Sequence, residues 1–144
     1  ALFLIVGMIY ERMHTRKLAD LGGIKEKAPI LNVLFLIVTL SSLGLPGTNG
    51  FVGEFLIILG AFQSNKLYAV FAAIGIVLSA FYLLNMFKKV MHGEITSEKI
   101  KNFMELNARE IILLLLIIVF IFWIGIYPNV FLSKISTGGT LKFL

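Results

Sequence analysis

Glu54 stands alone. Between Lys27 and Lys66 it is the only side chain with a charge at pH 7, and it falls in the stretch LPGTNGFVGEF, Leu45 to Phe55. An ionisable group at membrane depth costs a few kcal/mol on insertion scales, so its presence there points to a function. Desolvation disfavours the charged form of a carboxyl. A carboxyl poised between its two forms can take a proton from one side and release it to another. The residues around it suit that task. Pro46 and Gly47 stop a helix, and Gly50 to Gly53 restart one. The half-helix beginning near Phe51 brings its positive dipole end towards Glu54. Thr48 and Ser42 add hydroxyls at the break, and Gly53 removes bulk beside Glu54 where a water or a helix must approach. A second reading stays open, in which Glu54 only hydrogen-bonds across a helix interface and the glycines serve close packing.

The elements that must hold this stretch are helices in a membrane. The chain has 144 residues, 58% of them hydrophobic and only 15% charged, against the 45–50% apolar content usual for soluble domains. With no cysteine, zinc knuckles, iron–sulfur ligation and disulfides within the chain are excluded. The net charge of +5 belongs to loops and sets topology, so nucleic acid is not a partner. There is no phosphate loop, because LPGTNGFVGE contains neither GxGxxG nor GxxxxGK[ST]. His14 and His92 fall in loops without carboxylate neighbours and make no metal site.

Apolar runs give the layout. Residues 1–10 read as the end of a helix, 29–63 as a broken helix, 67–87 and 111–127 as two further helices, and 128–144 as a tail. Residues 29–63 would run about 50 Å as one helix, too long for a hydrocarbon core of roughly 30 Å. An amphipathic helical piece is expected around 99–106. Asn107 and Glu110 have capping-box spacing at the start of the last helix. Tyr82 and Asn85 share a helix face. If 29–63 crosses once, the loops around 11–28 and 88–109 lie on one side and hold ten of the 13 Lys and Arg. The positive-inside rule favours that arrangement. The fold class expected is all-α, a polytopic transmembrane bundle with one discontinuous helix. The chain opens apolar, without Met or a basic n-region, and reads as the C-terminal part of a larger protein.

The run LPGTNGFVGEFLIILGAFQ, with ALFLIVGMIYERMHTR, LGGIKEKAP and LNAREIILLLLIIVFIFWIGIYPNVFL around it, resembles the C-terminal part of the chain 4 family of NADH:quinone oxidoreductase. In bacteria this family is called subunit M. The resemblance implies an antiporter-like subunit of the membrane arm of respiratory complex I. It implies the end of helix eleven, broken helix twelve and helices thirteen and fourteen of a fourteen-helix fold. Glu54 then matches the proton-transferring glutamate on the exit side of the path, where related subunits have lysine. The other implied partners are the remaining membrane-arm subunits, lipids and the N-terminal part of the same subunit, either on a separate chain or missing here. NADH, FMN, iron–sulfur clusters and quinone are expected in other subunits, with no cofactor in this chain. The family's helix-five glutamate and helix-seven and helix-eight lysines have no counterpart here, so this chain would not move protons alone. The expected location is the mitochondrial inner membrane, with a bacterial plasma membrane as the alternative. An Mrp-type cation/proton antiporter subunit and a structural membrane-arm fragment are the competing functions.

Overall fold

A computed structural model describes residues 1–95 and 97–138. The last six residues of the expected tail lie outside the described residues, as does Thr96. Every regular element among the described residues is helical. These are α1 (Leu2–Met13), α2 (Pro29–Ser42), α3 (Asn49–Ser64), α4 (Lys66–His92), α5 (Glu98–Lys101), α6 (Ala108–Ile126) and α7 (Asn129–Gly138). Two short 3₁₀ turns, Leu18–Asp20 and Ile24–Glu26, carry the chain from α1 to α2.

The ends of the helices follow local chemistry. Pro29 opens α2 at its first turn, where its missing N–H costs nothing. Asn65 ends α3 and caps α4, its side chain accepting from the Leu67 N–H at 2.9 Å. His14 closes α1 in the left-handed conformation at φ 54°. Helix α1 runs past the expected end at Tyr10 to Met13, because Arg12 is fixed by tertiary partners described below. Helix α4 also outruns its expected end at Phe87. Its 27 residues span about 40 Å, which carries Lys88, Lys89 and His92 beyond a hydrocarbon core of roughly 30 Å. His92 is therefore the last residue of a helix and not a loop residue, and its ring lies 5.6 Å from that of Phe87. The piece expected over 99–106 is helical only as α5, to Lys101. Beyond it the chain is non-helical, while Phe103 and Leu106 still enter the core.

Helix α4 returns along both halves of the interrupted segment. It leaves α3 at the Asn65 turn, and near its other end Phe87 meets Phe35 of α2 edge-to-face at 5.3 Å. The loops after α1 and after α4 meet at one end of the bundle, where the Gly22 backbone lies against the Glu94 carbonyl. This is the arrangement that one broken crossing and one return require. The core sits towards that end. Ile5 and Ile9 of α1, Leu31 and Phe35 of α2, Met91 of α4 and Leu114 of α6 are all buried in it. Helix α3 contributes no buried residue. Helices α4 and α6 are long and apolar enough to cross a membrane.

Candidate functional site

The interruption between α2 and α3 is built from two consecutive turns. The first is a Schellman cap. Gly44 adopts φ 69°, its N–H donates to the Ser41 carbonyl at 3.2 Å, and the Leu45 N–H reaches back to the Leu40 carbonyl at 3.1 Å. The second turn is Leu45-Pro46-Gly47-Thr48. Pro46 presets its first corner, Gly47 at φ 92° makes its second, and the Thr48 N–H closes it on the Leu45 carbonyl at 3.1 Å. Helix α2 therefore ends at Gly44's cap, one turn ahead of the Pro46-Gly47 pair that the sequence points to. Helix α3 begins at Asn49, with extended Thr48 in front of it.

Hydroxyls hold the interruption together. Thr48 is buried, and its Oγ1 donates to the Leu45 carbonyl at 2.7 Å. Ser41 Oγ meets Asn49 Oδ1 at 3.0 Å, tying the end of α2 to the start of α3. Ser42 Oγ donates back to the Val38 carbonyl at 3.0 Å, the local bond that serine in a helix favours. Gly50 lies so close to the Ser41 carbonyl that a Cβ there would collide with it. Gly53 has nothing among the described residues within 4 Å of where its Cβ would stand. Gly125 of α6 presses on Gly47 and Thr48 with no room for a side chain, so a third helix closes the interruption from another side. Two polar atoms on one face of α2, Asn32 Oδ1 and Thr39 Oγ1, are buried without a partner among the described residues.

Glu54 is half-buried in the second turn of α3. A helix dipole acts mainly within the first turn, and Glu54 lies beyond that turn of α3. The carboxylate lies instead against Gly44, at the C-terminal cap of α2. The structure thus brings Glu54, Gly44, Gly50, Ser41 and Thr48 to one place around the break. Tyr82 and Asn85 lie on α4, outside this cluster.

A second polar cluster sits at the end of the bundle where the two basic loops meet. Arg12 Nη2 binds Glu110 Oε2 at 2.7 Å and Nη1 binds Oε1 at 3.1 Å. The same guanidinium donates to the carbonyls of Met8, Met104 and Glu105. Glu110 also accepts from the Asn107 N–H at 2.7 Å, the bond that their spacing predicts. Glu105 accepts from the Ile30 and Leu31 N–H groups at 2.8 and 3.2 Å and so caps the start of α2. Neither long-range link has a signal in the sequence.

Helices crossing a membrane around an interrupted, carboxylate-bearing one define a polytopic integral membrane protein of the discontinuous-helix kind. The family model described as NADH:quinone oxidoreductase/Mrp antiporter, TM, matches residues 1–80, and the chain belongs to that family. It is 49% identical over 133 residues to NADH-quinone oxidoreductase subunit M of Rickettsia prowazekii (strain Madrid E), covering 92% of this chain and 27% of the relative. It is 44% identical over 138 residues to NADH-ubiquinone oxidoreductase chain 4 of Marchantia polymorpha, covering 96% of this chain and 28% of the relative. Its fold matches a chain in the structure of respiratory complex I from Thermus thermophilus with bound NADH. There the TM-score is 0.82 at 35% identity, over 90% of this chain and 27% of that one. The chain thus spans about a quarter of the length of the relatives it matches.

Proposed function

We propose that this chain supplies the exit-side part of a proton path in a membrane subunit of NADH:ubiquinone oxidoreductase, with Glu54 as the proton-transferring group. One observation carries the reading. The only charged side chain of residues 28–65 lies with its carboxylate against the helix interruption. Pro46, Gly47 and Gly44 make the interruption, Thr48 and Ser41 stitch it, and Gly50 lets α3 seat on α2. Non-helical backbone at membrane depth is tolerated where it is buried in protein or lines a hydrated cavity. Thr39 Oγ1, one turn before the end of α2, supports such hydration, since it needs a partner.

The remaining part of the subunit and other membrane-arm subunits would complete the path, with lipid around the bundle. Redox chemistry, with NADH, FMN, iron–sulfur clusters and quinone, would belong to other subunits. Relatives named as oxidoreductase subunits favour this over a cation/proton antiporter. For location the reading is the mitochondrial inner membrane, with a bacterial plasma membrane as the alternative.

The test is proton pumping by membrane vesicles carrying Glu54→Gln in the whole complex, with quinone-reductase activity and an assembly check alongside. The complex assembles, and pumping falls about a hundredfold or more, from the low end upward of what a positioned acid–base group contributes. Pumping near wild type would make the interruption a packing device and turn the reading into that of a structural fragment.

A further inference from the structure

We propose that Gly44 is a positioning residue for Glu54, its bare α-carbon forming the seat on which the carboxyl group is held. This rests on the proton-transfer reading of Glu54 and names the residue that would set its geometry. Gly44 occupies the left-handed position of the Schellman cap at φ 69°. That conformation alone does not demand the absence of a side chain, since asparagine also serves there. The carboxylate supplies the second demand. A Cβ on Gly44 would run into Glu54 Oε2, with Cδ at 3.1 Å and Oε1 at 3.6 Å. Both oxygens and the carbon between them face the one atom that glycine lacks.

The seat is built from two elements. Gly50 precedes Glu54 by one helical turn, so both lie on the same face of α3. A Cβ on Gly50 would strike the Ser41 carbonyl and lie 3.7 Å from the Gly44 α-carbon. The face of α3 that carries Gly50 and Glu54 is therefore laid on the last turn of α2, and Glu54 is aimed at that turn's cap. Pro46 has no N–H to give the Ser42 carbonyl, four residues earlier, so the end of α2 keeps an acceptor that a continuous helix would use. With Gly44 closing one side, a proton reaches or leaves the carboxyl from the others.

Gly47 provides the control. It needs the same kind of backbone, at φ 92°, yet nothing among the described residues lies within 4 Å of its Cβ position. Alanine at Gly47 strains the backbone alone, while alanine at Gly44 strains it and displaces the carboxyl.

The experiment uses the whole complex in membrane vesicles, with assembly, proton pumping and the pH profile of coupled quinone reduction measured for Gly44→Ala, Gly47→Ala, Glu54→Asp, Gly44→Ala/Glu54→Asp and Glu54→Gln. Gly44→Ala should lose pumping about tenfold or more and move the pH profile, since misplacing a reacting group by about 1 Å costs on the order of a hundredfold. Gly47→Ala strains the interruption without meeting the carboxyl, so it should lower pumping less than Gly44→Ala does and leave the pH profile in place. Aspartate is one methylene shorter, so Gly44→Ala should add little in the Glu54→Asp background, a coupling that neighbouring residues show. The proposal is overturned if Gly44→Ala and Gly47→Ala behave alike, if the pH profile stays put, or if the two substitutions simply add. It is also overturned if Gly44→Ala fails to assemble in both backgrounds while Gly47→Ala assembles. Glu54→Gln tests the parent reading separately. If that variant pumps normally, proton transfer by Glu54 fails, whatever Gly44 does.

Discussion

Arg12 and Glu110 show what one side chain can settle. Their side chains are 12% and 16% exposed and meet in a two-bond fork. A guanidinium is suited to this because its planar donors match both carboxylate oxygens and still leave N–H groups for other acceptors. Those spare donors reach the carbonyls of Met8, Met104 and Glu105, so one residue joins the end of α1, the chain entering α6 and α6 itself. Arg109, adjacent in sequence to Glu110, is not the cation that pairs with it. Arg12→Ala removes the cation and leaves three carbonyls without that donor. The expected loss is roughly 3 kcal/mol, the low end for breaking a buried pair, because both partners keep some exposure. A thermal scan of the purified complex would show it as a lower Tm. Arg12→Lys should fall between the two, since an ammonium restores the charge and not the fork. If Arg12→Ala melts with the wild type, the cluster carries no stability and α1 is held by its buried apolar residues alone.

At the scale of elements, α2 is held at both ends by groups from outside the helix. At its start the Glu105 carboxylate takes the Ile30 and Leu31 N–H groups, where the dipole also favours an anion. At its end Gly44 and Leu45 satisfy the last carbonyls. Glu105→Ala should cost about 1 kcal/mol, as loss of a helix cap does. Hydrogen exchange would report it as faster exchange at the Ile30 and Leu31 amides, with the Asn49 and Gly50 amides of α3 unchanged. Equal acceleration in both helices would mean that Glu105 acts through general destabilisation.

The same helix shows what was legible beforehand. That residues 29–63 must be interrupted followed from bilayer thickness, and its place followed from proline and glycine, which act within a few residues. The Asn107–Glu110 cap was legible for the same reason. Gly44 was not, because a lone glycine beside a stronger Pro-Gly signal gives no separate cue. Glu105 on α2, Arg12 on Glu110 and Gly125 on the interruption join residues far apart in the chain. Hydrophobic period and turn chemistry report local geometry, and say nothing of which helix returns beside which. The segment after α5 combines the two cases. Ile100, Phe103 and Leu106 are buried, in keeping with the amphipathic character expected around 99–106. The helix nevertheless stops at Lys101, and Glu105 on the non-helical chain beyond it reaches the start of α2.

For the whole molecule, the arrangement of apolar surface is that of a protein in lipid. Val77 and Phe81, in the middle of α4, are 68% and 74% exposed. In water such surface would be a liability. In a membrane it borders hydrocarbon or further helices, and helix association there comes from close packing and hydrogen bonds, not from hiding apolar area from water. The tightly packed core accordingly lies near the loops, and the two bare approaches at Gly50 and Gly125 mark where helices touch deeper in. This inverts the usual rule for exposed positions. In a soluble protein, Val77→Asp on an exposed helical face would change stability by less than about 0.5 kcal/mol. Here it should cost roughly 2.5–3.5 kcal/mol of insertion, the penalty for aspartate at the centre of a membrane helix. The measurement is the fraction of chain inserted and the amount of complex assembled, with Lys66→Glu as the control. Lys66 starts α4 at the turn after α3, where water can solvate either charge. A sharp fall for Val77→Asp beside a mild effect of Lys66→Glu places the middle of α4 in an apolar surround. Equal tolerance of both would put water along α4, and α4 would then have to line a hydrated path as the interruption is proposed to do.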